Sequence, residues 1–474
     1  MKRWHSSALA ALGGVFQTLS LAPFDWVVLL PIGLALWFYA LRHHPILASF
    51  CFGLGLYASG AHWVWVSIYE ISQTPWPIAA LLLSAFVLGL ACVFAVNGWL
   101  FQQFGRLSPW LGFPALIVLS EAVRTYFLTG FPWLFAGYAW LDTPWASLAS
   151  YVGVYGLSAL SGLLAVALIR KAIVPLLVLA ALAWVPTPSL KPLGEPIAFT
   201  LVQGNIPADK KWSADWRDEI IDRHLTLSID NPNPLLVWSE AALPLLDHEA
   251  DAFFARFAEA FPASALVTGR LIAAAPDRLP RYYNAIAGYG QAEGANYKQR
   301  LVPFGEYMPL ESWLRGTLDF FDLPLSTLVQ GVSPAPLQVL GYQPGTLICY
   351  EIAYPGLAWR QGQDRPFLIS VSNDAWFGDS IARDQHLQMA RMRSLELGRP
   401  MLRATNDGIT AHIDYQGDLA AQLDNYAPGA LVGTLQPAQH RTAYSLLGPW
   451  PIIGLAVALL LLGRFAVPFP GRDR

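Results

Sequence analysis

Nearly continuous apolar segments occupy the first 187 residues, and they leave little room for a soluble fold in that part of the chain. Seven of these segments, and an eighth near the end of the chain, have the composition of membrane-spanning helices. The predicted spans are 8–23, 26–41, 46–67, 77–102, 109–128, 150–169, 172–187 and 449–467. Charged residues make up 13% of the chain, about half the share of a soluble domain. An entirely soluble protein is therefore excluded.

Basic residues predict the orientation of these helices, because loops that remain in the cytoplasm are enriched in Lys and Arg. With Lys2 and Arg3 in the cytoplasm, the other cytoplasmic ends receive Arg42, Arg106, Arg170, Lys171, Arg464, Arg472 and Arg474. The opposite loops are poor in basic residues, apart from Arg124. We therefore expect about eight spans with both termini in the cytoplasm. The predicted domains are a seven-span bundle at 1–187, an extracytoplasmic domain at 188–446, and a final helix with a cytoplasmic tail at 447–474.

Residues 188–446 carry charge at ordinary density and alternate short apolar strands with amphipathic helices. Strands are predicted at 197–204, 235–240, 264–270, 283–290, 346–350, 367–372, 401–405 and 409–415, and helices at 213–229, 247–261 and 382–397. This alternation predicts a layered α/β domain. The segment has no dinucleotide-binding, P-loop or zinc-protease motif. The net charge of −3 gives no basic surface for nucleic acid.

Cys349 is the only cysteine outside the apolar segments, since Cys51 and Cys92 lie within predicted spans. Three separated cysteines form no zinc-binding pattern. Cys349 lies at the end of the apolar strand predicted at 346–350, and Glu351 follows two residues later. This position predicts a sulfur at the edge of the sheet, where ligands of α/β proteins collect. A buried structural thiol is the alternative. The predicted extracytoplasmic location favours a thiol with a chemical function, because an unpaired thiol is exposed to oxidation there.

Two other polar groups stand beside apolar segments. Glu240 ends the strand predicted at 235–240, just after its apolar part LLVW. It is a candidate general base, with a solvated strand end as the alternative. Lys298 precedes a turn that contains Glu306. It is a candidate for stabilising an oxyanion or a thiolate, with an exposed loop lysine as the alternative.

A further polar segment at 370–379 runs from a strand into a turn that contains Trp376 and Phe377. These rings are candidate walls of a lipid or peptide pocket, and ordinary turn chemistry is the alternative. Glu, Lys and Cys suffice for acyl transfer, because a thiolate forms a thioester, a carboxylate moves the proton, and an ammonium stabilises the oxyanion. His386 and His412 lie outside these polar segments, and a structural role is expected for both.

The segments resemble the nitrilase superfamily, whose catalytic set is Glu, Lys and Cys in the chain order of Glu240, Lys298 and Cys349. With its flanking spans, the whole chain resembles the apolipoprotein N-acyltransferase family. The resemblance is carried by LVQGNIP at 201–207, YKQRLVPFGEYMP at 297–309, ICYE at 348–351 and SNDAWFGDS at 372–380. Ser239 and Asp407 depart from the family pattern, in which Pro and Thr are expected.

The resemblance implies an αββα sandwich beside the helical bundle, with Cys349 as nucleophile, Glu240 as general base and Lys298 at the oxyanion. It implies supporting roles for Glu306 and Glu351, and functionally important side chains at Trp212, Asn284 and Tyr350. It also implies a membrane phospholipid, typically phosphatidylethanolamine, as acyl donor and the α-amino group of a diacylglyceryl-cysteine apolipoprotein as acceptor. The implied location is the bacterial inner membrane, and no cofactor or metal is implied.

Two other functions remain open at this point. A membrane-bound amidase would use the same three residues with water as acceptor, although a tether needs one helix rather than about eight. A transporter with an external sensing domain would place ionisable residues within the spans. Glu121 and Arg124 are the main candidates for such a path.

Overall fold

The computed structural model describes residues 3–104, 108–274, 281–303, 305–307, 328–332, 335–439 and 441–465. Lys2, Arg106, Phe304, Met308, Pro309 and the residues after 465, on which parts of the sequence analysis rest, lie outside this range. The chain forms two compact units. The helical unit comprises Met1–Pro188, Phe377–Glu396 and Thr442–Arg474, and the α/β unit comprises Ser189–Trp376 and Leu397–Arg441.

Most helices form where apolar runs or a 3.6-residue periodicity predict them, but the short helices Pro355–Gly362 and Ala443–Leu447 were not predicted. The helices are α1 (Arg3–Leu19), α2 (Leu29–Leu41), α3 (Pro45–Gly60), α4 (Trp76–Phe104), α5 (Pro109–Tyr126), α6 (Ala149–Arg170), α7 (Ile173–Ala181), α8 (Arg217–Asp230), α9 (Asp247–Ala260), α10 (Pro355–Gly362), α11 (Ala382–Leu397), α12 (Ala443–Leu447) and α13 (Trp450–Phe465). Each predicted span overlaps one of these helices.

Within the described residues, three segments are long and apolar enough to cross a membrane: Trp76–Gln103, Pro109–Thr129 and Ala146–Arg170. Shorter apolar helices lie at Leu29–Leu41, Pro45–Gly60, Ile173–Trp184 and Trp450–Gly463. Apolar helices of this kind are typical of a membrane protein. The total of about eight spans stays a prediction.

Glycines allow helices α1 and α3 to pack closely. A Cβ atom at Gly14 would lie 2.1 Å from the carbonyl oxygen of Phe52, and one at Gly55 would lie 2.1 Å from that of Ala11. A larger residue would push the two backbones apart, which is the usual reason for small residues at helix contacts in membranes.

The ionisable residues of α5 are buried and bonded to other residues of the helical unit. Glu121 accepts a hydrogen bond of 2.8 Å from the backbone N–H of Ala136. The Nη1 atom of Arg124 donates to the hydroxyl of Tyr57 and to the carbonyl of Trp133, both at 3.2 Å. Because these partners fix the loop after α5, a structural role accounts for both side chains.

Helix α11 also packs inside the helical unit. The indole of Trp133 donates a 2.6 Å hydrogen bond to Gln385 and stacks on His386. Further along the helix, Arg393 donates to the hydroxyl of Tyr138 at 3.1 Å. Polar side chains of α11 therefore have partners in the loop between α5 and α6.

The strands are β1 (Ile197–Gln203), β2 (Leu235–Trp238), β3 (Ala265–Ala273), β4 (Tyr282–Gly290), β5 (Ala292–Glu293), β6 (Ala295–Tyr297), β7 (Gln338–Val339), β8 (Gly345–Ile348), β9 (Leu368–Ser372), β10 (Met401–Thr405), β11 (Ala411–Ile413), β12 (Leu419–Gln422) and β13 (Gly429–Leu435). They form a six-stranded sheet in the order β13-β1-β2-β3-β4-β6, a five-stranded sheet in the order β12-β11-β10-β9-β8, and a small β5-β7 pair. Strands β1, β2 and β3 run parallel, as do β8, β9 and β10.

Alternate side chains of the strands of the first sheet point into two different apolar layers. Leu201, Val237 and Val267 of the first sheet share one buried cluster with Ile369 and Leu402 of the second, so the two sheets pack face to face. The neighbouring side chains on the same strands point the other way. A second cluster of Val202, Leu236, Trp238 and Leu266 packs against Ile220 of α8 and Phe254 of α9. The predicted α/β layering is thus confirmed.

Candidate active site

Glu240 lies just beyond the end of β2, where the chain leaves the six-stranded sheet. Its carboxylate is buried and accepts from Asn284 at 2.7 Å on Oε1 and from the backbone N–H of Asn373 at 2.9 Å on Oε2. Strand β3 passes so close that a Cβ atom at Gly269 would lie 2.5 Å from the Cα atom of Glu240. Backbone and carboxylate are therefore both held in place.

Lys298 follows β6 and is completely buried. Its Nζ atom bonds to Oε1 of Glu306 at 2.6 Å and to Oε1 of Glu240 at 3.2 Å. Burial disfavours the ammonium form, but these two carboxylates outweigh burial and hold the pKa of Lys298 well above its ordinary value. A fixed cation therefore stands beside the candidate base, as electrostatic stabilisation of an oxyanion requires.

Glu306 holds the lysine from its other side. The second carboxylate oxygen of Glu306 accepts from the backbone N–H of Val302 at 2.9 Å, which fastens the turn that follows Lys298. Burial raises the pKa of Glu306, whereas the neighbouring Lys298 opposes that rise. Asn284 also reaches this group, at 3.5 Å. The structure thus brings Glu240, Asn284, Lys298 and Glu306 into one hydrogen-bonded cluster.

Cys349 begins a short 3₁₀ turn, Cys349–Ala353, immediately after β8. It is half-buried, and its φ of +50° lies in the left-handed region, which costs a residue with a Cβ atom about 1–2 kcal/mol. Burial and then the charge of Glu240 raise the pKa of the Cys349 thiol, and Lys298 opposes the rise. The resting sulfur is therefore protonated, and its attack on a carbonyl group requires a base.

Glu351 ties the lysine segment to the cysteine turn. Its carboxylate accepts from the backbone N–H groups of Gln299 at 2.6 Å, Arg300 at 3.2 Å and Ile348 at 2.9 Å. Burial raises the pKa of Glu351 to about 7, although these hydrogen bonds favour the ionised form. Because Gln299 follows Lys298 and Ile348 precedes Cys349, one buried carboxylate fixes the backbone on both sides of the site.

Asn406, directly after β10, is a residue of the site that the sequence analysis did not single out. Asn406 donates to Asn373 Oδ1 at 3.0 Å and to the carbonyl of Ile206 at 2.8 Å. Asp374 is fully buried and pairs with Arg403 at 2.8 Å. The asparagine thus joins the loops after β1, β9 and β10. Asn406 lies outside the four motifs that carry the family resemblance, and its two partners are 33 and 200 residues away in the chain.

The remaining predicted site residues lie in different surroundings. Tyr350 is buried, with its ring edge-on to that of Tyr354 at 5.3 Å. Trp212 is 46% exposed in the loop after β1. Trp376 lies in the 3₁₀ turn Asp374–Phe377 at the end of the α/β unit. Their functional roles stay predictions.

Phe377 belongs to the helical unit. Its ring packs at 4.9 Å from Trp63 and 5.7 Å from His386. The other histidine considered from sequence, His412, packs edge-on against Phe199 at 5.1 Å within the α/β unit. These ring contacts explain both histidines without a chemical role.

Among the described residues, no group of three or more His, Cys, Asp or Glu side chains is arranged to hold a metal ion. The chemistry available in the α/β unit is that of a thiol, a carboxylate and an ammonium group. This set fits acyl transfer through a covalent thioester.

Two family models together match most of the chain. The model of the apolipoprotein N-acyltransferase N-terminal domain matches residues 13–167, and that of carbon-nitrogen hydrolases matches residues 201–444. The second match contains Glu240, Lys298 and Cys349. Each half of the chain therefore resembles a known family over most of its length.

Similar full-length proteins carry one common name, apolipoprotein N-acyltransferase. The protein from Azotobacter vinelandii is 40% identical over 96% of this chain and 94% of its own length. The one from Pseudomonas syringae pv. tomato is 38% identical, with 98% and 97% covered. The one from Methylococcus capsulatus is 36% identical, with 95% and 94% covered.

Proposed function

The chain belongs to the apolipoprotein N-acyltransferase family, and we propose that it transfers a fatty acyl chain from a phospholipid to an apolipoprotein through a thioester on Cys349. Membership makes it an acyltransferase that acts in lipoprotein N-acylation. The proposal adds the residues that carry the reaction, the identity of the donor and the arrangement in the membrane.

The observation that supports this mechanism best is the buried cluster beside the cysteine turn. Lys298 bonds to Glu240 and Glu306 at once, so the ammonium is held in place before substrate binds. A preorganised charge stabilises a transition state without reorganisation at the moment of reaction. Burial raises the pKa of the Cys349 thiol and keeps it protonated. The thiol must therefore lose its proton during attack, and Glu240 is the proposed acceptor.

In the acylation step, the Cys349 thiol gives its proton to the Glu240 carboxylate while Sγ attacks the ester carbonyl carbon of the phospholipid. Lys298 stabilises the tetrahedral oxyanion. The bond from carbon to the glycerol oxygen then breaks, and protonated Glu240 returns its proton to that oxygen. The products are a lysophospholipid and an acylated Cys349.

In the transfer step, the α-amino group of the diacylglyceryl-cysteine attacks the thioester carbon. Glu240 accepts one proton from the attacking nitrogen, and the oxyanion again faces Lys298. The carbon–sulfur bond breaks, and the proton on Glu240 passes to the leaving Cys349 sulfur. The acceptor gains an amide-linked acyl chain, and the enzyme is restored.

We propose about eight spans, with both termini in the cytoplasm and the catalytic domain of 188–446 outside the inner membrane. The basic residues at alternate helix ends support this arrangement. Both substrates carry acyl chains whose exposure to water costs ~0.8 kcal/mol per CH₂ group. A membrane bundle at 1–187, with the final helix of 447–474, lets those chains remain in lipid. Phosphatidylethanolamine is the proposed donor, as the family resemblance implies.

Intact-mass analysis of the full chain tests the covalent step. After incubation with phosphatidylethanolamine alone, the wild-type protein should gain the mass of one acyl group, and Cys349→Ser should gain no thioester. Cys51→Ser and Cys92→Ser remove the other two thiols and serve as matched controls that retain the adduct. N-acylation of a lipopeptide by Cys349→Ser at the wild-type rate would exclude the thioester route. Release of free fatty acid without N-acylated peptide would favour the amidase reaction.

A further inference from the structure

A second lysine, Lys211, is buried beside the proposed general base and has no place in the mechanism above. It lies in the loop after β1, and 3% of its surface is exposed. Its Nζ atom donates a 3.3 Å hydrogen bond to the backbone carbonyl of Glu240. A lysine is rarely buried to this extent unless a partner compensates its charge.

The surroundings of Lys211 explain why its charge matters to Glu240. Among the described residues, no ion pair is found for Lys211. Burial lowers the pKa of Lys211 to about 8, and the carboxylate of Glu240 is the charge that opposes this fall, so the side chain is an ammonium group at neutral pH. The other titratable group facing it is His224 on α8, which is buried. Burial lowers the pKa of His224 to about 4, so this ring is uncharged at neutral pH and does not compete with Lys211.

Charge balance gives the second argument. The ammonium group of Lys298 bonds to two carboxylates, those of Glu240 and Glu306. That cluster carries an excess of one negative charge when both acids are ionised. A like charge nearby raises the tendency of a carboxylate to hold a proton, and an opposite charge lowers it. Lys211 supplies a second positive charge next to Glu240, and it bonds to the backbone carbonyl of that residue, whereas Lys298 bonds to its carboxylate.

We propose that Lys211 is a positioning residue for acyl transfer, whose buried positive charge and hydrogen bond keep Glu240 ionised and fixed for proton abstraction from Cys349. The role rests on the proposed function, because it requires Glu240 to act as the base. Lys211 touches neither substrate nor the reacting sulfur in this scheme.

The pH dependence of Cys349 acylation by phosphatidylethanolamine tests this role in the full chain. Lys211→Gln removes the charge and keeps a hydrogen-bond donor, and Lys211→Met removes both. Loss of the cation lets Glu240 hold its proton more tightly, so the acidic limb of the pH–rate profile should move to higher pH by about one unit. The plateau rate at higher pH should stay within about threefold of wild type for Lys211→Gln.

Lys210 provides a matched control on the same turn, since it is a neighbouring lysine with 43% of its side chain exposed. Lys210→Gln should leave the acidic limb unchanged, because its charge is screened by water. Lys211→Arg keeps the charge and should keep the wild-type limb. Thermal unfolding of each variant identifies any that fails to fold, and either neutral variant alone suffices for the comparison.

Two results would overturn the proposal: a lower plateau with an unmoved acidic limb in a folded neutral variant, or a shifted limb in Lys211→Arg. The absence of any acyl adduct on wild-type Cys349 would instead refute the proposed function, and the role of Lys211 with it. An adduct in wild type together with an unshifted limb in the variants refutes the role of Lys211 alone.

Discussion

Replacing Glu351 by Gln at pH 8 tests how the two halves of the site are held together. At this pH the carboxylate is ionised, because its pKa is about 7. Oε1 accepts from Gln299 and Arg300, and Oε2 accepts from Ile348. A glutamine can keep the first pair through its amide oxygen, but its NH₂ group then faces the Ile348 N–H, which is also a donor. One buried donor is left without an acceptor.

The expected cost follows from that single lost bond. An orphaned buried donor costs about 1–3 kcal/mol, and each 1.36 kcal/mol corresponds to a tenfold change in rate. If the strain is relieved by movement of the Cys349 turn, the acylation rate should fall by roughly 5- to 150-fold. Glu351→Ala leaves all three donors without their acceptor and should lose more.

The assay is the rate of acyl adduct formation on Cys349, measured by intact mass in detergent micelles. Glu293→Gln is the control, because Glu293 is an exposed glutamate of the α/β unit. The control should react at the wild-type rate. Adduct formation by Glu351→Gln within twofold of wild type, with an unchanged unfolding temperature, would refute the view that this carboxylate positions the nucleophile.

Two further predictions concern the backbone beside Glu240 and a buried histidine. Gly269→Ala places a Cβ atom 2.5 Å from the Cα atom of Glu240, so the rate of Cys349 acylation should fall at least tenfold. Gly429→Ala meets only ordinary contacts and should keep the wild-type rate. Equal acylation rates for the two variants would contradict the argument. Burial lowers the pKa of His224 to about 4, so its contribution to stability is present above pH ~6.5 and is lost as pH falls towards 4, by up to about 3 kcal/mol. His224→Leu should therefore show a flatter fall of unfolding temperature between pH 6.5 and 4, and an unchanged slope would count against a buried neutral ring.

Local patterns predicted most of the α/β unit. Short apolar runs located β1 and β9 to within about one residue, because both strands are buried along nearly their whole length. The polar residues at the strand ends, Glu240 and Lys298, were selected by the same reasoning, and the structure joins them by a hydrogen bond of 3.2 Å. Their order along the chain also matched a known family. Residue type and position beside a strand were therefore enough to select these two members of the candidate site.

Features that depend on distant pairing were not predictable in this way. Strand β13 is weakly apolar, and it forms because it pairs antiparallel with β1 across more than 200 residues. Cys349 was predicted to continue a strand to 350, whereas it begins a turn with positive φ. Lys211 lies in a polar loop sequence and reads as an exposed residue. Only tertiary packing reveals that its ammonium is buried.

The location of α11 has a consequence for which segments of such a gene can be exchanged between relatives. The chain leaves the α/β unit after Trp376, contributes a helix whose partners include Trp133 and Tyr138, and re-enters the α/β unit at Leu397. A gene fragment encoding 189–441 alone would carry this helix without the residues that satisfy its polar groups. Recombination that exchanges only the segment 189–441 is therefore expected to leave the polar groups of α11 without their partners. Substitutions on the loop between α5 and α6 are expected to co-vary with substitutions on α11 among relatives, because each constrains the other.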